Sequence, residues 1–348
     1  MEADIIKILI LSGLAFIVAM LWTPLLSNFL YKYKLGKTIR NSGATPIFSK
    51  LHAAKSGTPT MGGILVWLTA LVFAVAFYYV GRWSSWPMLQ HLNFLSRSET
   101  WLPLAVLGAS ALVGLFDDWL DVRGKGTNGG GGMTMLKRLA VYTLIAAVGA
   151  LWFYFKLERD TFNIPFFGHF HLGCSYILVF IVVIVATAFS VNETDGLDGL
   201  AGGVLLTSFA AYAVIAFMNG KVNLAALCGI IVGGLLAFLW FNITPARFYM
   251  GDTGSMSLGI TLGIIAMLTD SAVILTIVGS VFVLESISVI IQLLSKKIRK
   301  KKVFLSAPIH HHFEAIGWSE AKIVMRFWVI AGVSAAAGLV IFLLDRLK

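Results

Sequence analysis

The sequence GLFDDWLD sets two aspartates, Asp117 and Asp118, side by side at the end of an apolar run. Adjacent carboxylates at a membrane boundary repel each other and lose hydration. A bound cation or a shared proton relieves both costs; a solvated pair of helix-end charges is the structural alternative. The segment VNETDGLDGLAGG, residues 191–203, offers Asn192, Asp195 and Asp198 among glycines. If a helix begins here, the two aspartates share a face, and the glycines let backbone approach a ligand. The alternative is that one aspartate is simply the N-cap of the next helix. In NITPARFYMGDTGS, residues 242–255, Asp252 stands just before another apolar run. A helix N-terminus there offers N–H groups to phosphate, and a carboxylate beside it suits Mg²⁺; a plain Gly-Asp turn is the alternative. SAPIHHHFE carries His310, His311 and His312. Adjacent residues project in different directions and no cysteine is near. Imidazoles reaching phosphate, or acting as general acid or base, therefore fit better than one shared zinc ion, with a surface run as the bland alternative. AAKSGTPTMGG adds Lys55 and Thr60 among small residues, either a phosphate cradle or a topology-setting lysine. Together these groups suit phosphoryl chemistry, in which catalysis is mainly positioning and charge neutralisation.

The elements that must position them are membrane helices. The chain has 348 residues, 58% of them hydrophobic and only 13% charged, where soluble domains carry about 25% charged residues. A span needs roughly 20 mostly apolar residues. Ten segments qualify: 5–30, 61–80, 101–116, 136–155, 172–189, 199–218, 224–241, 254–269, 272–294 and 323–344. The expected fold is all-α and polytopic. The first run, Ile5 to Leu30, is too long for a signal-peptide core and reads as a span. Residues 162–171 alternate weakly and fit a short hairpin at the interface. Cys174 and Cys228 suggest neither a disulfide framework nor a thiolate metal site.

Loops after the odd-numbered spans carry lysine and arginine in an excess of about two to one over the other loops and tails, which places those loops in the cytoplasm and both termini outside. The net charge of +10 is then topology rather than nucleic-acid binding. The acidic and histidine motifs fall on the same side, in or beside loops 31–60, 117–135, 190–198, 242–253 and 295–322 of a single membrane-embedded domain, 1–348. Glu285 is the exception: inside a span, it must face a polar cavity or be protonated. A transporter would instead gather its ionisable residues near mid-membrane.

Five ordered motifs carry a resemblance over essentially the whole chain: TPTMGG at 58–63, DD at 117–118, NxTDGLDGLA at 192–201, NxxPAxxxMGDxGS at 242–255 and APIHHHFE at 307–314. The chain resembles the phospho-N-acetylmuramoyl-pentapeptide transferases, within the polyprenyl-phosphate N-acetylhexosamine-1-phosphate transferases. The triple histidine favours this branch over relatives that transfer N-acetylglucosamine-1-phosphate. The resemblance implies a Mg²⁺-dependent enzyme of the bacterial cytoplasmic membrane. Its substrates would be UDP-N-acetylmuramoyl-pentapeptide and undecaprenyl phosphate, its products lipid I and UMP, and its state a homodimer among membrane lipids. It implies Asp117 as the base for the lipid phosphate, with Asp118 beside it, and Asp252 as a magnesium ligand that the pair assists. It implies Asn192, Asp195, Gly196, Leu197, Asp198 and Asn242 around the nucleotide, and Tyr249 stacked on uracil where the family often has phenylalanine. His310, His311, His312, Lys55 and Thr60 match substrate-contacting positions. Two departures stand out: DVRGKGTNGGGGM replaces a lysine-rich stretch, leaving Lys125 as the uracil-side lysine, and Glu193 replaces an apolar residue.

Overall fold

A computed structural model describes residues 1–36, 57–124 and 132–347. Lys55 and Lys125 lie outside the described residues. Among those residues, nine helices are long and apolar enough to cross a membrane, and a bent pair brings the number to as many as ten. In chain order the helices are α1 (Glu2–Lys32), α2 (Ile64–Trp83), a short α3 (Pro87–His91), α4 (Trp101–Val122) and α5 (Met135–Leu151), which ends in a π turn at Trp152–Lys156. After strands β1 (Thr161–Ile164) and β2 (Gly168–His171) come α6 (Ser175–Thr194), α7 (Leu200–Met218), α8 (Val222–Asn242), α9 (Gly251–Leu268), α10 (Ala272–Val278), α11 (Ser280–Ile298), α12 (Ile309–Ala315) and α13 (Glu320–Arg346). The strands form the expected hairpin, antiparallel with Thr161 opposite His171.

The bundle is built around α9. Its sequence GDTGSMSLGITLG supplies a small residue at nearly every turn, which lets neighbouring backbones come close. Accordingly 94% of its span is buried, against 22% for α1, whose outer face carries exposed Leu9, Ile17, Leu21 and Leu25 for lipid. Polar bonds lock the centre: Trp67 Nε1 of α2 donates to Thr253 Oγ1 at 3.1 Å, and that hydroxyl donates to the carbonyl of Ala111 in α4 at 2.8 Å.

Three expectations change. The third span does not stop at 116. Helix α4 continues to Val122, so Asp117, Asp118 and Asp121 are buried within it instead of marking its end. The ninth span is not one helix; α10 and α11 meet at Gly279 with a bend of 84°. No helix begins at Asp195. Residues 195–199 form a turn in which Gly199 has φ +83°, and α7 starts only at Leu200. The two aspartates therefore do not share a helical face, and neither caps α7 through its side chain.

Candidate active site

Four helix ends meet at one end of the bundle: the C-terminal turns of α4 and α6, and the N-terminal turns of α5 and α9. Helix α5 starts cleanly because Thr134 Oγ1 accepts the N–H of Lys137 at 3.4 Å, an N-cap that fixes the next turn. That turn carries Arg138, the residue the sequence reading missed. Its guanidinium bridges three partners on three other helices. Nε lies 2.8 Å from Asp117 Oδ2, Nη2 lies 2.7 Å from Asp252 Oδ2, and Nη1 donates to Asn192 Oδ1 at 3.2 Å. Asn192 in turn donates from Nδ2 to Asp252 Oδ1 at 2.6 Å and to Ser255 Oγ at 2.9 Å. Asp117 also accepts the backbone N–H of Met133, which pins the segment leading into α5. Arg138 looked in the sequence like one more positive charge at a span boundary. The available signal was its place at the start of a span, where its long side chain can turn back toward the DD pair.

Asp118 points elsewhere. Its Oδ1 accepts the N–H of Asp252 at 3.1 Å and its Oδ2 that of Thr253 at 3.0 Å, and Thr60 Oγ1 donates to Oδ1 at 3.3 Å. This carboxylate thus caps the N-terminus of α9 from a neighbouring helix, satisfying two N–H groups that a helix leaves without partners. Gly251 is required at this junction: its φ is +73°, and a Cβ would sit 2.6 Å from Asp118 Oδ2 and from Thr60 Oγ1. The geometry aims Asp252 by holding the turn beneath it.

The motifs expected around the nucleotide form a framework of the same kind. Asn242 Oδ1 accepts the N–H of Gly199 at 2.9 Å, and its Nδ2 donates to the carbonyl of Phe248 at 2.8 Å, joining the 195–199 turn to the 243–250 loop. Asp198 Oδ2 accepts the N–H of Ala246 at 3.0 Å, while its own N–H donates to Glu320 Oε1 at 2.7 Å. Leu197 is buried beneath this turn. Tyr249 clamps the 57–63 segment through its backbone, donating to Pro59 O at 2.8 Å and accepting from Gly62 N at 2.7 Å. The three histidines diverge as expected. His310 Nδ1 is 2.9 Å from Glu285 Oε2, His311 Nδ1 is 2.6 Å from Glu314 Oε2, and His312 Nδ1 accepts the N–H of Leu305 at 3.3 Å. Glu285 therefore faces a histidine, not lipid.

Beside Arg138 and Asn192 opens a cavity of about 230 Å³, whose lining also includes Glu193 and the apolar Met135, Leu139 and Phe189. Among the described residues no three His, Cys, Asp or Glu side chains converge as a ready-made metal cage. The hard oxygens of Asp117, Asp252 and Asn192 nevertheless surround a place that a guanidinium occupies, so positive charge fits there. Mg²⁺ typically uses one or two protein carboxylates and completes its shell with water and substrate phosphate, which this donor set suits.

The sequence model of glycosyl transferase family 4 matches residues 100–270, and the first signature of the phospho-N-acetylmuramoyl-pentapeptide-transferases matches residues 55–65. Curated relatives extend the match over the whole chain. A phospho-N-acetylmuramoyl-pentapeptide-transferase of Anoxybacillus flavithermus is 38% identical across 96% of this chain and 97% of its own. Those of Chloroflexus aggregans and a Geobacillus species are 38% and 39% identical across 97% and 94% of this chain, and 89% and 95% of their own. The residues matched by the family 4 model include every member of the Arg138 constellation. The chain belongs to the phospho-N-acetylmuramoyl-pentapeptide-transferase family.

Proposed function

We propose that the chain transfers phospho-N-acetylmuramoyl-pentapeptide from its UDP-linked form to undecaprenyl phosphate, giving lipid I and UMP. The observation that carries this reading is the Asp117–Arg138–Asp252–Asn192 constellation, drawn from four helices to one end of a membrane bundle beside a cavity lined by polar and apolar side chains. In the reaction an oxygen of the lipid phosphate attacks the phosphorus that bears the sugar, and the bond from that phosphorus to UMP breaks. The apolar lining residues Met135, Leu139 and Phe189 suit the first prenyl units, with Arg138 set to draw their phosphate inward. Asp117, Asp252 and Asn192 would hold Mg²⁺ through oxygen, and when bound it neutralises charge on the diphosphate. Asp195, Gly196 and Leu197, together with the Asp198 and Asn242 framework, offer the nucleotide a fixed turn. Tyr249 would stack on uracil, and His310 and His311 would contact the donor's phosphate or sugar. The lysine and arginine bias supports an orientation with this end of the bundle facing the cytoplasm and both termini outside, in the bacterial inner membrane where this reaction would take place.

A phosphomonoester has a second pKa of about 6, so the lipid phosphate is largely deprotonated at neutral pH and a base has modest work to do. Asp117, already engaged by Arg138 and Met133, then acts as base or as an orienting anion. The test is UMP release from UDP-N-acetylmuramoyl-pentapeptide with and without undecaprenyl phosphate, in wild type and Asp117→Asn. Release that requires the lipid and collapses in the variant supports the reading. Loss of the acidic limb of the pH–rate profile in the residual activity identifies Asp117 as the base, and a retained limb with a raised Mg²⁺ requirement identifies it as orienting. Wild-type turnover in Asp117→Asn would remove it from the site.

A further inference from the structure

Helix α11 carries a buried polar seam along an otherwise apolar helix. Glu285, Ser288, Gln292 and Ser295 follow at spacings of three, four and three, so they share one face, and all are buried. The last three bind backbone. Ser288 Oγ donates to the carbonyl of Glu285 at 2.6 Å. Gln292 Oε1 accepts the N–H groups of Val303 and Phe304 at 2.9 and 3.0 Å, and its Nε2 donates to Phe304 O at 2.8 Å. Ser295 Oγ donates to Lys301 O at 2.9 Å. These bonds fold the residues after α11 back along it, and the first turn of α12 arrives over Glu285. The 84° bend at Gly279 sets the direction of this seam, and Ser286 Oγ, donating to Ser190 Oγ at 2.7 Å, fastens it to α6 one turn above Asn192 and Glu193.

Glu285 alone on the seam meets an ionisable side chain. It and His310 are both 0% exposed and 2.9 Å apart. Their other polar atoms, Glu285 Oε1 and His310 Nε2, are buried with no hydrogen-bond partner among the described residues. A fold selected for stability alone avoids such a pair, because unpaired buried polar atoms and buried charge are costly. The bare Nε2 is directed at the 195–199 turn; a Cβ on Gly196 would collide with it, so glycine admits the ring there.

We propose that Glu285 is the positioning residue of His310. Its carboxylate accepts the Nδ1 proton, fixes the ring, and leaves Nε2 as the nitrogen that, when it carries a proton, donates to an anionic oxygen of the nucleotide-sugar at the Gly196 turn. The inference rests on the reading of His310 as a substrate contact, and the experiment separates the two. Glu285→Gln keeps the volume and a hydrogen-bonding group but can give a proton to Nδ1 instead of taking one. Per nucleotide-binding site, kcat should fall about 100-fold, the scale of a misaligned catalytic contact, while KM for UDP-N-acetylmuramoyl-pentapeptide stays within about threefold, because the loss is in the transition state. The ¹⁵N spectrum of the histidines, with His310 assigned by its absence in His310→Gln, should show Nδ1 protonated in the wild type and lose that signature in Glu285→Gln. A wild-type kcat in Glu285→Gln, or a wild-type His310 whose Nδ1 carries no proton, overturns the positioning role. His310→Gln should be inactive. If it turns over normally, the reading of His310 itself fails.

Discussion

The two ends of the bundle solve the same structural problem with different partners for the cation. At the site end, Asp118 of α4 accepts the N–H groups of Asp252 and Thr253 in the first turn of α9. At the far end, Glu99 accepts those of Asn223 and Leu224 in the first turn of α8, at 3.1 and 3.2 Å. In each case a carboxylate from another element caps a helix, and the side chain of the capped residue meets a cation. The far end closes there. Asn223 Oδ1 takes Lys7 Nζ at 2.8 Å, the ammonium also donates to Asn93 O at 2.9 Å, and Lys7 is buried. The direct partners of the ammonium are a carbonyl and an amide oxygen, with the carboxylates of Asp4 and Glu99 acting on it through space. At the site end one guanidinium faces two carboxylates, those of Asp117 and Asp252, with Asp118 behind them and a cavity alongside. A capping carboxylate is thus no mark of function by itself. Two carboxylates directly on a partly exposed cation distinguish the end proposed to take a second cation and its phosphate.

That comparison breaks most sharply at Asp252. Asp252→Asn removes one of the two carboxylates that face Arg138 while keeping shape, and turnover should fall by at least about 100-fold, the scale for losing one group that stabilises transition-state charge. Glu99→Gln, the counterpart change at the far end, should leave UMP release unchanged. Equal losses in both variants would mean that the ends do not differ in function, and full activity in Asp252→Asn would remove it from the site. Chelation with EDTA should abolish wild-type activity, and Mg²⁺ or Mn²⁺ should restore it.

Arg138 tests whether the guanidinium and a metal ion share the carboxylates. Arg138→Ala should lower kcat by about 100-fold, since Asp117, Asp252 and Asn192 lose their common anchor. The same change should lower the Mg²⁺ concentration needed for half-maximal activity, because an uncompensated carboxylate pair attracts the ion more strongly. An unchanged Mg²⁺ dependence would separate the guanidinium's place from the ion's. Arg138→Lys should recover only part of kcat, since one ammonium does not reproduce a planar fork reaching three partners.

The difference between the ends was only half legible in the sequence. The spans were readable because long apolar runs admit few other structures, and the clustering of Asp117, Asn192 and Asp252 followed from the alternation of loops. The helix register at Asp117 was not readable. Carboxylates ended the apolar run, yet α4 continued because Asp118 could bond to α9, a tertiary contact that hydropathy does not record. The break at Gly279 was hidden for a related reason: a lone glycine in an apolar run does not announce an 84° bend, and Glu285 was the better clue that the ninth span could not face lipid throughout. Arg138 was hidden because one arginine at a span boundary carries the same signal whether it sets topology or binds two aspartates. Lys7 shows the converse, since a lysine within the first span has its partners in Asn93 and Asn223, far off in sequence.

The two caps should give closely matched stability effects and different activities. Asp118→Asn and Glu99→Gln each keep one acceptor and weaken a capped helix start, at a cost of about 1 kcal/mol apiece. Thermal or denaturant unfolding in detergent should show losses of that size in both, while only Asp118→Asn also lowers turnover, through the drift of Asp252. A loss of turnover in Glu99→Gln at the same stability cost would show that activity follows general loosening of the bundle instead of the local aim of α9.

The smallest expected effect lies at the far end, in the turn between α9 and α10, where the comparison can be sharpened without touching the site. Asp270 sits there with φ +53°, and its Oδ2 is 3.2 Å from Nδ1 of His169 on β2. Burial raises its pKa above the ordinary carboxylate value, and the nearby His169 and Arg159 oppose that rise without cancelling it. A carboxyl whose folded pKa lies above its unfolded one holds its proton more tightly when folded. Its stabilising contribution is complete below the unfolded value of about 3.9 and is lost as pH rises through the raised folded value. Asp270→Asn mimics the protonated form, retains an oxygen for the hydrogen bond from the backbone of Asn163, and suits the left-handed conformation. At neutral pH the variant should therefore be as stable as wild type or slightly more so. On acidification through the weakly acidic range, wild type should close that gap, with UMP release at neutral pH equal in the two proteins. A variant less stable than wild type at neutral pH would show that the His169 contact outweighs desolvation and that the far end, like the site end, depends on an ionised aspartate.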